Sequence, residues 1–213
     1  MSSREPAAHR KIPVPPHLIL ASSSPRRRDL LAERGYQFEV LVAAAEEVMP
    51  AHLTVRETVL LNARRKGEAV AAVRPDAIVL AADTLVALEG RPLGKPATLD
   101  EARASLGSLA GRTHQVFSGV WAEERAAGFS AAFVEVSHVR FRALGAAEIE
   151  DYIRRVHVLD KAGAYAAQED PIGLIEAIEG SRTNVIGLPM EAVERLLKER
   201  GVSSRLQQES HRF

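Results

Sequence analysis

The sequence predicts an α/β fold, and three stretches carry that expectation. Leu18-Ile19-Leu20-Ala21 is a short apolar run that stops at three serines and passes at once into a basic helix. Ala77 to Ala82, AIVLAA, is a continuous apolar run of strand length, the pattern of a central strand buried on both faces. Arg112 to Ala122 and Phe129 to Arg142 read as two long strands meeting around Gly128, an antiparallel pair.

Each element follows in turn. Residues 1–16 are polar and then proline-rich, which predicts a flexible leader, and His17 to Ser22 reads as the first strand. Ser24 suits an N-cap and Pro25 the first helical position, so a helix is expected over Pro25 to Arg34, stopped by Gly35. Tyr36 to Val42 reads as a second strand, followed by a loop to Leu53 that contains Glu46 and Glu47. Thr54 and Glu57 have capping-box spacing, opening a helix that runs to about Val73 and ends before Pro75. After Ala82 the pattern reads as a hairpin, Leu85 to Leu88 and Arg91 to Leu93, turning at Glu89-Gly90. Thr98 and Glu101 repeat the capping-box spacing and open a helix to Leu109. In the second long strand Val134 and Val136 share one parity and Val139 and Phe141 the other, which predicts a β-bulge at Ser137-His138. A short helix is expected over Glu148 to Val156, a loop over 160–168, a last strand over Gly173 to Ile178, and a final helix after Pro189. The polar stretch from 201 to 213 is expected to fray.

Composition bounds the function. With 213 residues, 46% of them hydrophobic, the chain can bury a sizeable core. Lys plus Arg and Asp plus Glu are balanced at 28 each, which argues against a nucleic-acid binder. There is no cysteine, so disulfides, thiol catalysis and Cys-ligated zinc are excluded. No apolar stretch has membrane-spanning length and no signal-peptide core is present, so a cytoplasmic protein with no membrane partner is expected.

Charged residues recur at the ends of elements. The free N–H groups and dipole at the start of the Pro25 helix attract an anion, while Arg26, Arg27 and Arg28 in that first turn oppose the dipole unless an anion lies there. The segment reads equally well as a phosphate cradle or as an ordinary strand–turn–helix. Lys66, taken by itself, reads as one more solvated lysine. Asp83 follows the apolar strand directly, at the strand end where open α/β sheets place their ligands, and its apolar flanks favour a functional role over a turn aspartate. Arg26, Arg27, Lys66 and Lys95 offer cations for a polyphosphate; Glu47 and Asp83 offer hard oxygens for magnesium, or a general base. No GxxxxGK[ST], GxGxxG or G-x-S-x-G motif is present, and His114, His138 and His157 lack metal spacing. The residues alone thus reach a phosphate-handling α/β enzyme of unspecified substrate.

Eight segments, in order over Leu18 to Leu197, resemble the Maf family of nucleotide pyrophosphatases. They are Ser22-Ser23-Ser24-Pro25-Arg26-Arg27, Glu46-Glu47, Lys66, Ala82-Asp83-Thr84, Gly94-Lys95-Pro96, Ser108 through His114, Asp160 through Tyr165 with Gln168, and Asn184 through Pro189. The resemblance implies an elongated mixed sheet flanked by helices, similar to the inosine-triphosphate-pyrophosphatase-like fold, with a cleft between two lobes of one catalytic domain spanning 17–200. It implies hydrolysis of a nucleoside triphosphate to monophosphate and pyrophosphate with a divalent metal, Mg2+ or Mn2+. Asp83 falls on the family's proton acceptor; Arg26, Thr84 and Gln168 fall on its substrate-selecting positions. The Asp-Thr pair with a later Gln is similar to the branch acting on dTTP and UTP, with modified pyrimidine nucleotides as further substrates. The site expected is then Asp83, Lys95 and Arg27 as catalytic residues, with Glu47 and Asp83 as metal ligands. Substrate binding is assigned to Ser22, Ser24, Arg26, Lys66, Thr84, Lys161 and Gln168. A homodimer is compatible with it.

One departure stands out: Glu169-Asp170-Pro171 follows Gln168 where the family usually has Gly, which adds acid that would narrow the pocket or add a metal ligand. The alternative function is a regulator of cell division and septum formation that senses a nucleotide or binds a partner without significant turnover.

Overall fold

The computed structural model describes residues 17–206; the expected leader lies outside them. A seven-stranded mixed sheet has the order β2-β1-β3-β5-β6-β7, with β4 paired to β3. The strands are β1 Leu18–Leu20, β2 Glu39–Val40, β3 Ile78–Leu88, β4 Arg91–Leu93, β5 Thr113–Glu124, β6 Phe129–Phe141 and β7 Ile175–Glu179. β1 runs parallel to β2 and β3, and the remaining pairs are antiparallel. The helices are α1 Pro25–Glu33, α2 Val55–Ala71, α3 Leu99–Leu109, α4 Ala146–Arg155, α5 Arg182–Ile186 and α6 Met190–Glu199. This is the mixed sheet flanked by helices that the sequence predicts.

β3 organises the rest. On one face, Ile78, Leu80 and Ala82 join a core with α1 and α6, while Val86 and Leu88 join a second core with α3, α4 and the segment 156–174. On the other face, Val79 and Ala81 pack with Val70 and Ala71 of α2. The strand therefore threads two bodies, and its middle residues lie where they meet. β1 pairs with β3 as far as Leu80 and β4 only from Val86 onward, so this edge of β3 is open between them.

Several expectations are corrected. β3 does not end at Ala82. It continues through Asp83 and Thr84 into the hairpin, because β5 pairs with it without a break from Val79 to Ala87. Asp83 is thus a mid-strand residue. No bulge interrupts β5 and β6 at Ser137-His138, where Val116 pairs with Ser137 and Gln115 with His138. Ser137, Val139 and Phe141 are buried on one face of a regular strand, and Val134 and Val136 are half-buried on the other, so the apparent change of phase is a strand covered on both sides. The register shift lies instead at Arg140/Phe141, against β7. The second strand shrinks to two residues, and α5 is a five-residue helix that the sequence reading omitted. Of the stretch expected to fray, residues 201–206 are described: Val202 and Ser204 are buried, and the Arg205 N–H donates to the Gly35 carbonyl at 3.0 Å.

Candidate active site

Alternation along β3 sends Asp83 and Thr84 to opposite faces at the junction of the two bodies. Asp83 points toward α2, and glycine lets the helix come close. Gly119 pairs with Asp83 across β5, and a Cβ there would lie 2.5 Å from the Val59 carbonyl carbon of α2. At Gly67 a Cβ would lie 2.4 Å from the Trp121 ring. The helix thus settles on the sheet, with Asn62 and Lys66 one turn apart on the face that meets Asp83.

The polar contacts here are short. Lys66 Nζ lies 2.7 Å from Asp83 Oδ1 and 2.7 Å from Glu47 Oε1. Asn62 Nδ2 donates to the other Asp83 oxygen at 3.1 Å and to the Val48 carbonyl at 3.0 Å, while its Oδ1 accepts from the Val48 N–H at 2.9 Å. One asparagine therefore fixes both the carboxylate and the loop that carries Glu47. Lys95, from the turn after β4, reaches Glu47 Oε2 at 3.3 Å. Burial would raise the Glu47 carboxyl, but the Lys66 hydrogen bond and the charges of Lys66 and Lys95 prevail and hold it down at about 2.

The partners of the Thr84 side chain are neutral apart from one guanidinium. Arg27 is buried, and each of its nitrogens has a protein partner: Nε donates to the Gly187 carbonyl at 2.8 Å, Nη1 to Ser22 Oγ at 3.0 Å and Nη2 to Thr84 Oγ1 at 3.1 Å. Burial pulls the Arg27 pKa below its ordinary value, with Asp83 pushing the other way. Thr84 Oγ1 also lies 2.9 Å from Ser118 Oγ, which donates to the Asn184 carbonyl at 3.3 Å. At the start of α1, Ser24 occupies the N-cap position but its side chain makes no cap hydrogen bond; its N–H instead donates to Ser22 Oγ at 3.3 Å. The first turn of α1 is left open to the cleft.

Arg26 Nη1 meets Asp160 Oδ2 at 3.4 Å across the cleft, and Lys161 Nζ is held by Asp160 Oδ1 at 2.9 Å and by the His157 carbonyl at 2.5 Å. Of the added acids after Gln168, Glu169 comes within 4.0 Å of Lys161 Nζ, while Asp170 turns toward the backbone. Asp170 accepts the Leu174 N–H at 2.7 Å and the Ile175 N–H at 3.0 Å, capping the approach to β7, and Glu169 is exposed. Neither carboxylate is part of the cleft wall, and Glu169 reaches it only through Lys161.

A single cleft of about 580 Å³ is lined by Ser22, Ser24, Arg26, Arg27, Glu47, Lys66, Asp83, Thr84, Lys95, Lys161 and Gln168, every residue expected from the sequence. Lys66 is not the solvated lysine of the first reading: 15% of its side chain is exposed, and two carboxylates flank it. Asn62, Asp160, Ser118 and the Gly187 carbonyl were not singled out as site groups. Asn62 had a usable signal, since it precedes Lys66 by four residues on a helix. Ser118 and Gly187 become site groups only through tertiary pairing.

Five cations and three carboxylates (Glu47, Asp83, Asp160) line the cleft, a surplus of two positive charges suited to a polyphosphate anion. No three acidic or imidazole side chains gather as a metal cage among the described residues. Glu47 and Asp83 nevertheless present hard carboxylate oxygens to one point, the Lys66 ammonium, and two carboxylates completed by phosphate and water oxygens are the donor set magnesium takes. The residues fit such an ion.

The family model described as "Maf-like protein" matches residues 17–200. A Pelotomaculum thermopropionicum protein named "dTTP/UTP pyrophosphatase" is 42% identical over 184 residues, 86% of this chain and 96% of that protein. Proteins of the same name from Akkermansia muciniphila and Deinococcus radiodurans are each 45% identical, over 86% and 89% of this chain and 96% and 95% of theirs. Among solved structures, the Staphylococcus aureus Ham1 protein aligns over 86% of this chain and 98% of its own at 18% identity, with a TM-score of 0.49. With the family model spanning nearly all of the described residues and relatives above 40% identity along most of their length, the chain belongs to the Maf-like protein family.

Proposed function

We propose that this chain hydrolyses dTTP and UTP to the monophosphate and pyrophosphate, as its relatives' names say of them. The observation that carries the reading is one cleft in which a buried carboxylate, Asp83, shares a lysine with Glu47 while Lys95 and Arg26 stand around it.

Water attack on phosphorus needs a proton acceptor and cations for the charge that develops on the phosphate oxygens. Asp83 is the acceptor in this reading, its Oδ2 held by Asn62 and its Oδ1 by Lys66, so that the carboxylate cannot rotate away. Lys66, Lys95 and Arg26 bind the phosphate chain; each is paired to a carboxylate here, and a phosphate oxygen would compete for it. The open first turn of α1, with Ser22 and Ser24, offers N–H groups and hydroxyls to the same chain. Arg27, with its nitrogens engaged internally, braces Ser22, Thr84 and Gly187 rather than the phosphates. Lys161 holds Asp160, and through it the aim of Arg26. Glu47 and Asp83 would hold a divalent cation, which supplies Lewis-acid neutralisation of the phosphate charge when bound. Thr84 and Gln168 border the base, Gln168 with an amide that both donates and accepts.

The test is a panel of nucleoside triphosphates assayed for pyrophosphate and monophosphate, with and without Mg2+ or Mn2+. Equal yields of the two products, fastest with UTP and dTTP, are expected. Release of orthophosphate and the nucleoside diphosphate instead, or a purine preference, would overturn the assignment. The regulatory alternative, which complete loss of the carboxylate and the cations would favour, gains no support from a cleft that has all of them.

A further inference from the structure

Gln168 stands exposed at the rim of the cleft, on a turn with no regular structure between Tyr165 and Asp170. Its position is therefore set by whatever holds the backbone on either side. Three groups do so. The Ala166 N–H donates to Tyr152 Oη at 3.0 Å, and the same hydroxyl donates to the Glu169 carbonyl at 3.1 Å. Arg182 Nη2 donates to the Ala167 carbonyl at 3.1 Å.

Tyr152 comes from α4, is only 1% exposed and does not line the cleft. A buried hydroxyl is costly unless both its donor and acceptor capacities are used, and phenylalanine would serve the surrounding apolar core better. What the hydroxyl accomplishes is to brace the Ala166–Glu169 turn at both ends, beside the turn's own backbone hydrogen bond. We propose that Tyr152 is a positioning residue for substrate selection, its one hydroxyl clamping the two ends of the turn that carries Gln168 and so fixing where that amide meets the base. Arg182 pins the middle of the same turn from the α5 side. Burial keeps the Tyr152 hydroxyl protonated by raising its pKa, so the donor to Glu169 persists through the working pH range. The inference rests on Gln168 contacting the base, as proposed above.

The experiment compares Tyr152→Phe, Arg182→Ala, Gln168→Ala and the double variant Tyr152→Phe/Gln168→Ala with the full-length wild-type chain. The readout is the ratio of kcat/KM for UTP to that for ATP. Tyr152→Phe should lower the ratio about fivefold and Arg182→Ala about threefold, the scale of one or two lost hydrogen bonds. The double variant should fall no further than Gln168→Ala alone, since Tyr152 acts through Gln168; a merely structural role would add to it. If Gln168→Ala shifts the ratio while folded Tyr152→Phe leaves it unchanged, or if the two losses add, the positioning role is overturned. If Gln168→Ala itself leaves the ratio unmoved, the contact between Gln168 and the base fails first, and the clamp with it. Should Tyr152→Phe not fold, Arg182→Ala decides, because that side chain is exposed and its loss leaves the core intact.

Discussion

Asp83 and Thr84 are neighbours on one strand, yet they belong to different chemistries. Asp83 faces α2 and ends among charges, with Lys66, Glu47 and Lys95 linked through carboxylate oxygens. Thr84 faces the opposite side and ends in a knot of internal hydrogen bonds with Arg27, Ser118 and Gly187. The difference shows how a strand threaded between two bodies separates labour. One residue step turns from a face where ion pairs can be exchanged for phosphate to a face where polar groups are already satisfied by the protein. In the proposed function the charges around Asp83 act on the triphosphate, while the hydrogen bonds around Thr84 hold the wall of the cleft in shape.

Away from Asp83 itself, the largest expected effect that sharpens this contrast is at Lys66. Lys66→Met leaves Asp83 and Glu47 without their shared cation, and kcat for UTP should fall at least about 100-fold, with the thermal midpoint also lowered because the buried Asp83 carboxylate loses its cationic partner. On the other face the order reverses. Arg27→Met strips three hydrogen bonds from Ser22, Thr84 and Gly187 and should cost about 2–4 kcal/mol in urea denaturation. An Arg27 variant of unaltered stability and lost turnover would instead make Arg27 a phosphate ligand and erase the distinction. Thr84→Val, which keeps the shape, should cost about 1 kcal/mol by the same assay.

Smaller effects follow from protonation. His114 is buried behind the cleft, with Nε2 2.8 Å from the Tyr165 hydroxyl, and burial lowers its pKa from 6.5 to about 4. Between those values the unfolded chain binds more protons, so stability should decline as pH falls from about 6.5 to about 4. His114→Gln should flatten that decline in denaturation midpoints measured against pH. Glu47, held at about 2 against 4.5, contributes stability that is fully present above 4.5 and lost as pH falls toward 2. The difference between Glu47→Gln and wild type should therefore be full above 4.5 and shrink through that window, and be modest throughout, since half of that side chain is in water.

Much of the site was legible because its residues sit at points where a pattern breaks: Asp83 after an apolar run, Pro25-Arg26-Arg27 after a strand, and Lys95 between Gly94 and Pro96. The capping residues Thr54 and Thr98 likewise marked helix starts correctly, each accepting an N–H from the glutamate three residues on. What escaped depends on partners distant in sequence. The continuation of β3 past Asp83 is decided by its pairing with β5, which a local reading of polarity does not contain. The false bulge arose because β6 is covered on both faces, so that apolar residues of both parities mimic a slip. Arg27 and Arg26 look alike in sequence, and only packing shows Arg27 bonded to Gly187 and Thr84 while Arg26 reaches Asp160.

The division between the two faces is tested most directly at Asp83 itself. In Asp83→Asn, pyrophosphate release from UTP should fall about 1,000-fold, while UTP binding to the same folded sample, measured by titration calorimetry, stays within about tenfold of wild type. Turnover within tenfold of wild type in that variant would contradict the account, because the carboxylate would then take no part in splitting the triphosphate.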